Sequence, residues 1–157
     1  MPTLIVMVGL PRSGKSTAVR ELSKRHNAPI VKKDDIRLAL HGHVYEKNAE
    51  PFVRAISKVM VQSLFLSGHE VVIADETHYS KEARDFIRDG PWATVFYEVP
   101  TPPEVCHARA DATGHVWLHP VIDQMWARRE PLTDEPRYHG WWPLRPSHYT
   151  NDFQDYL

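Results

Sequence analysis

Residues Gly9–Thr17 read GLPRSGKST and follow the unbroken apolar run TLIVMV (Thr3–Val8). No other stretch constrains the chain as strongly. Gly9, Gly14, Lys15 and Ser16 meet the spacing G-x-x-x-x-G-K-[ST], between an expected strand and an expected helix. From average residue frequencies, a chance match in a chain of this length arises in well under ~1% of cases. The two glycines let the backbone of Leu10, Pro11, Arg12 and Ser13 bend around an anion. The loop's N–H groups and the helix N-terminus at Ser16 and Thr17 then bind phosphate oxygens. Lys15 reaches the β- and γ-phosphates, and the Ser16 hydroxyl is a magnesium ligand. The chain is thus expected to bind a nucleoside triphosphate with Mg2+.

Around this loop, strands and helices alternate. TLIVMV is continuous and β-branched, as in a buried parallel strand, and KSTAVRELSKRH is the helix that the loop opens. APIVKK reads as a shorter strand, and DDIRLALHG as a short helix with Asp34 and Asp35 as possible N-caps. From Asn48 to Ser67 a longer helix is expected, with Phe52, Ile56, Val59, Met60 and Leu64 on its buried stripe and Gly68 as its stop. EVVIAD and WATVFYEV are further strands, SKEARDFIRDG is a helix closed by Gly90, and PPEVCHARADA starts a helix with prolines in its first turn. The alternation predicts a three-layer α/β/α domain with a parallel sheet of four to five strands.

With 157 residues the chain reads as one domain, 1–157. From Pro100 onward the texture changes, since eight of the thirteen prolines and four of the five tryptophans lie there. From about residue 131 a packed, irregular tail is expected. A single cysteine, Cys106, rules out an internal disulfide framework and reads as a small buried hydrophobe. The apolar segments are too short to span a bilayer, and the first is too short for a secretory signal, so a cytoplasmic protein is expected. The formal net charge of −1 excludes coating of nucleic acid by bulk charge. Residues 1–40 nonetheless carry eight Lys/Arg against three Asp/Glu, so an anionic ligand would be held near this segment.

A magnesium-triphosphate site also calls for a carboxylate at the end of the neighbouring strand. VVIAD offers Asp75 there, with Glu76 as its near competitor. At the end of the second strand, KKDDIR would face the same crevice. Phosphoryl transfer to a hydroxyl needs a group that accepts the hydroxyl proton, and Asp34 or Asp35 suits that role. Arg37 suits bidentate pairing with an acceptor phosphate.

Taken together, GLPRSGKST, DDIR about twenty residues on, and IADETH resemble the kinase domain of phage-type polynucleotide 5′-hydroxyl kinases, within a wider set of small P-loop kinases. The likeness runs over about residues 3–135. It implies a γ-phosphate transfer from ATP to the 5′-hydroxyl end of DNA or RNA. By its pattern the base is Asp34 and its partner Arg37, with Asp35 as cap or support. Lys15 and Ser16 take the phosphate and magnesium roles, and Asp75 takes the acidic position after the third strand. HPVIDQM followed by EPLTDEP is similar to the stretch after the lid. The pattern has two lid arginines four apart. Arg109 matches the first, but Thr113 stands at the second, leaving Arg12, Arg128 and Arg129 as possible substitutes. No D-x-D-G-T phosphatase signature occurs, so a free-standing kinase is expected.

The loop reads only the donor. A kinase for a small hydroxylated metabolite, antibiotic or modified base, and a nucleotide-binding module without transfer, therefore remain alternatives. Neither the close pair His41 and His43 nor His115 with His119 has zinc-like spacing. Trp141 and Trp142, flanked by Arg137 and Arg145, are suited to stacking on bases but equally to packing on the domain. Tyr45 and His43 are minor acceptor candidates.

Overall fold

In the computed structural model, residues 1–43 and 47–139 are described, apart from the side chain of Lys47. Four strands form one wholly parallel sheet: β1 (Thr3–Val8), β2 (Ile30–Lys32), β3 (Val71–Asp75) and β4 (Ala93–Glu98), in the order β2-β3-β1-β4. Six α-helices accompany it: α1 (Lys15–His26), α2 (Lys33–His41), α3 (Glu50–Leu66), α4 (Lys81–Arg88), α5 (Pro103–Ala112) and α6 (His119–Arg128).

The apolar run of β1 is buried on both faces because successive side chains point to opposite sides. Leu4 and Val6 pack with Val53 and Val61 of α3 and Ile87 of α4. Ile5 and Met7 pack on the other face with Val19 and Leu22 of α1. These two layers around one sheet make the expected α/β/α sandwich. A third cluster joins Leu10 of the glycine loop to Cys106 and Ala110 of α5 and Ile122 of α6. Cys106 is the small buried hydrophobe that its sequence context suggested.

Several local expectations are corrected. Helix α2 begins at Lys33, so Asp34 and Asp35 are first-turn residues rather than N-caps, where they meet the positive end of the helix dipole. Helix α3 begins at Glu50, after a one-turn 3-10 helix over Lys47–Ala49, instead of at Asn48. Its buried face runs through Val53, Ser57 and Val61, while Phe52 and Val59 are each 56% exposed and Met60 39%. The helix carries apolar residues almost all round, so periodicity alone does not say which face turns inward. Helix α4 ends at Arg88 with Asp89 as its cap, one residue before Gly90. The strand expected in APIVKK is only three residues long, and its last lysine already belongs to α2.

Beyond α6, residues 131–139 contain neither helix nor strand, only a parallel bridge from Arg137 to Phe96 at the β4 edge. Leu132 packs in the α3 and α4 layer, and Tyr138 against the α1 layer. Trp141, Trp142, Arg145 and Tyr45 lie outside the described residues. Among the described residues no helix is long and apolar enough to cross a membrane.

Candidate active site

The loop Gly9–Thr17 leaves the C-terminal end of β1 and runs into α1, at the end of a parallel sheet where ligands collect. Gly14 adopts φ 100°, a left-handed conformation that turns the chain into the helix. At Gly9 a Cβ would stand 2.9 Å from Ser13 Oγ and 3.0 Å from the Val99 carbonyl, so only glycine closes the loop there. Helix α1 has no side-chain cap and no acidic residue in its first turn. The N–H groups of Lys15 and Ser16 are left for an outside acceptor, while that of Thr17 turns back to the Gly14 carbonyl at 3.2 Å, and such open donors suit a phosphate site. Ser13 Oγ, buried inside the loop without a hydrogen-bond partner among the described residues, is a further polar group awaiting one.

Lys15 folds back over this cradle. Its Nζ donates to the carbonyls of Gly9 at 2.8 Å and Leu10 at 2.6 Å. Burial lowers its pKa from 10.5 to about 8, against the opposing pull of Asp75, Asp34 and Glu76. Those three carboxylates are thus the charged neighbours across the crevice. Asp75, 8% exposed at the end of β3, has its pKa raised by burial, offset in part by Lys32 and Lys15. Lys32 is its register partner on β2.

The second-strand residues converge on the same place. Arg37 donates through Nη1 to Asp34 Oδ1 at 2.7 Å, joining the two residues that the sequence paired. Its other nitrogens are engaged too, Nε and Nη2 with Glu50 Oε1 and Oε2 at 2.8 and 2.7 Å. Glu76 lies beyond, 3.8 Å from Arg37 Nη2 and 2.5 Å from Lys33 Nζ. Burial by itself would raise the Glu76 pKa. The neighbouring His78, Lys33 and Arg37 outweigh it, and the carboxyl is held below its usual range.

Two participants carried no assigned role in the sequence. Glu50 begins a different helix from Arg37, and no local pattern links them. His78 is buried at φ 43°, strained for a histidine, with Nδ1–H donating to the Met7 carbonyl at 2.8 Å and Nε2 3.5 Å from Glu76 Oε2. Burial lowers its pKa. The IADETH string contained it, but nothing local in the sequence marks it as buried.

Helices α5 and α6, where the lid is expected, meet the loop from the other side. Arg109 Nη1 donates to the Arg12 carbonyl at 3.2 Å, so the first lid position does reach the cradle. At the second, the Thr113 hydroxyl lies 3.0 Å from the Arg109 carbonyl, closing the end of α5. His115 sits on Arg12, Nδ1 to Nη2 at 2.7 Å, and His119 on Asp111 at 2.7 Å.

The family model for the AAA domain matches residues 4–132. The chain belongs to the AAA domain family. No curated protein sequence matches it. Among solved structures, this family member is similar to a chain of the Pnkp1/Rnl/Hen1 RNA repair complex, with TM-score 0.65 and 21% identity over 95% of its length and 51% of the other's. It thus spans about half of that chain. A second structure of the Pnkp1/Rnl/Hen1 complex matches with TM-score 0.59 and 28% identity over 69% of this chain and 39% of the other. The Mycobacterium tuberculosis APS kinase CysC, in complex with AMPPNP and APS, matches with TM-score 0.66 and 15% identity over 99% and 97%. The fold is that of the small P-loop kinases.

Proposed function

We propose that this AAA domain protein is an ATP-dependent kinase that transfers the γ-phosphate to the 5′-hydroxyl of DNA or RNA. The observation that carries this reading is the Asp34–Arg37 pair, joined at 2.7 Å and electrostatically coupled to Lys15 across the crevice. The likeness to a chain of an RNA repair complex supports the choice of acceptor.

In this reading the unpaired loop amides of Arg12, Gly14, Lys15 and Ser16 cradle the phosphates at the N-terminus of α1, and Lys15 Nζ moves from the loop carbonyls onto the β- and γ-oxygens. The acceptor oxygen forms a bond to the γ-phosphorus as the bond from phosphorus to the β,γ-bridging oxygen breaks, and ADP leaves. The hydroxyl proton passes to Asp34. Its Oδ1 is held by Arg37, and Oδ2 makes no hydrogen bond among the described residues. Arg37 orients the base and holds the phosphate next to the acceptor nucleoside. For Mg2+ the Ser16 hydroxyl and the Asp75 carboxylate are the available donors, and hard oxygen ligands of this kind fit it, with water completing the shell. When bound, it neutralises charge on the β- and γ-phosphates.

One observation favours a second reading. Glu50 takes Nε and Nη2 of Arg37 and Asp34 takes Nη1, so that guanidinium is already paired before any acceptor phosphate arrives. A small hydroxylated metabolite, which needs no phosphate clamp, suits that arrangement. Incubation with γ-labelled ATP and 5′-hydroxyl DNA, 5′-hydroxyl RNA or a panel of sugars and alcohols separates the two. Label on the oligonucleotide 5′ end is expected. Label only on a metabolite overturns the polynucleotide assignment, and no labelled product from any acceptor overturns the kinase assignment.

A further inference from the structure

We propose that Arg12, from within the glycine loop, supplies the second guanidinium of the phosphate clamp, filling the place that Thr113 leaves open. This rests on the kinase reading and deepens it.

Arg109 crosses the loop over residues 12–14. It donates to the Arg12 carbonyl at 3.2 Å and lies 3.5 Å from where a Gly14 Cβ would stand. Arg12 itself adopts φ 64°, a left-handed conformation that costs a non-glycine residue roughly 1–2 kcal/mol. Such strain persists where surrounding contacts over-determine it, and it clusters at ligand clamps. The contacts are visible here. Arg12 Nη2 reaches His115 Nδ1 at 2.7 Å, from the loop to the far end of the lid. A guanidinium has no acceptor, so in this contact Nδ1 presents its lone pair, and the same nitrogen lies 2.9 Å from the Thr113 hydroxyl.

Arg109 thus lies on the loop backbone, and the Arg12 side chain bridges that loop to His115. Among the described residues neither meets a carboxylate, a feature shared with Arg20, Arg128 and Arg129, whereas Arg37, Arg54, Arg84, Arg88 and Arg137 all do. Positive side chains at a loop without a carboxylate partner are suited to an anionic ligand. The other candidates are placed differently. Arg129 is stacked over the Trp126 ring at 3.5 Å and donates to its carbonyl at 2.8 Å. Arg128 is exposed at the end of α6.

With a triphosphate in the cradle, Arg12 exchanges His115 for phosphoryl oxygens, opposite Arg109. As the bond to the γ-phosphorus breaks, negative charge grows on the β,γ-bridging oxygen, and both guanidiniums face it. No proton moves in this contribution. His115 is a positioning residue that keeps Arg12 raised towards the lid.

The test uses the full chain, the acceptor that wild type phosphorylates, and calorimetric affinities for ATP and ADP without acceptor. Arg12→Gln is expected to lower kcat about 10²-fold, the scale of losing one oriented charge-stabilising donor. Arg12→Lys keeps the positive charge without the planar fork and is expected to fall between wild type and Arg12→Gln. Thr113→Arg in the Arg12→Gln background should restore about tenfold by returning an arginine to the fourth position after Arg109. His115→Ala is expected to cost less than Arg12→Gln. Turnover of Arg12→Gln close to wild type, absence of recovery by Thr113→Arg, or an equal loss in Arg128→Gln would each overturn the proposal. If wild type phosphorylates no acceptor, the kinase reading fails by itself, and Arg12 is judged by affinity. Its replacement should then lower the preference for ATP over ADP about tenfold, and an unchanged preference overturns it.

Discussion

Glu50 grips Arg37 through two parallel hydrogen bonds, Nε to Oε1 at 2.8 Å and Nη2 to Oε2 at 2.7 Å, linking the start of α3 to the middle of α2. The paired geometry fixes the guanidinium plane, and Nη1 is thereby aimed at Asp34. Hydrogen bonds to charged groups are each worth about 1.5–3 kcal/mol. Glu50→Ala should therefore loosen Arg37 and raise the acceptor KM about tenfold, equivalent to ~1.4 kcal/mol. The KM for ATP should stay near wild type, because the loop is not part of this pair. Steady-state kinetics with both substrates varied checks this, and a rise confined to ATP would contradict it.

Asp34 stands on the other side of the same guanidinium. Its removal takes away the proposed proton acceptor but leaves the phosphate cradle intact. Asp34→Ala should lower the transfer rate by ~10²–10⁴-fold, the usual contribution of a positioned general base. ATP affinity measured by calorimetry should be largely retained. Lys15→Met, by contrast, should weaken both binding and transfer. Normal turnover in Asp34→Ala would remove the base from the proposed chemistry.

The central β-α framework was legible in the sequence because its signals are local. TLIVMV matched β1 residue for residue, and Lys15–His26 matched α1, since a continuous β-branched run and a glycine turn specify themselves. The α3 face was not legible, because Phe52, Val53, Val59 and Val61 are all apolar and only packing against the sheet chooses between them. Helix α6 was seen only as a stretch resembling its counterparts. At the site, the loop and the Asp34–Arg37 pair lay in short motifs. Glu50 and His78 act through contacts made when distant segments come together, and no spacing encodes those.

Lys15 titrates near the working range. Burial lowers its pKa to about 8, so above that pH the free protein progressively loses the positive charge that meets a triphosphate. Bound phosphates favour the charged form and raise the pKa again. ATP affinity should thus fall as the pH rises through 8, and binding at pH 8 should take up protons. Calorimetry in buffers of different ionisation enthalpy measures that uptake directly, and Lys15→Arg should abolish it. Stability without nucleotide has the opposite dependence. The group binds more protons unfolded than folded between pH 8 and 10.5, so stability should gain with rising pH across that window.

The tail is fastened by Arg84 and Glu135, whose side chains are 1% and 0% exposed and whose Nε and Oε1 lie 2.9 Å apart. Arg84 Nη1 also donates to the His78 carbonyl at 3.1 Å, so the same guanidinium ties α4, the loop after β3 and the segment after α6 together. Glu135 Oε2 accepts in turn from the Thr133 N–H at 2.8 Å. Burial alone would raise the Glu135 pKa, but the bonds from Thr133 and Arg84 prevail and hold it below its ordinary 4.5. Replacing one partner strands the other charge in the interior, at a cost of about 3–5 kcal/mol. Glu135→Gln should accordingly lower the unfolding midpoint by roughly 10 °C for a domain of this size. A depressed carboxyl contributes its stability above the unfolded pKa and loses it as the pH falls through the folded one. The variant should therefore show a flatter acid limb below about pH 4.5 than wild type. The double replacement Arg84→Met with Glu135→Leu removes both charges and should recover much of the lost midpoint. Thermal unfolding of the three variants across pH 3–7 decides the matter. A Glu135→Gln protein as stable as wild type would mean that the pair does not fasten the tail.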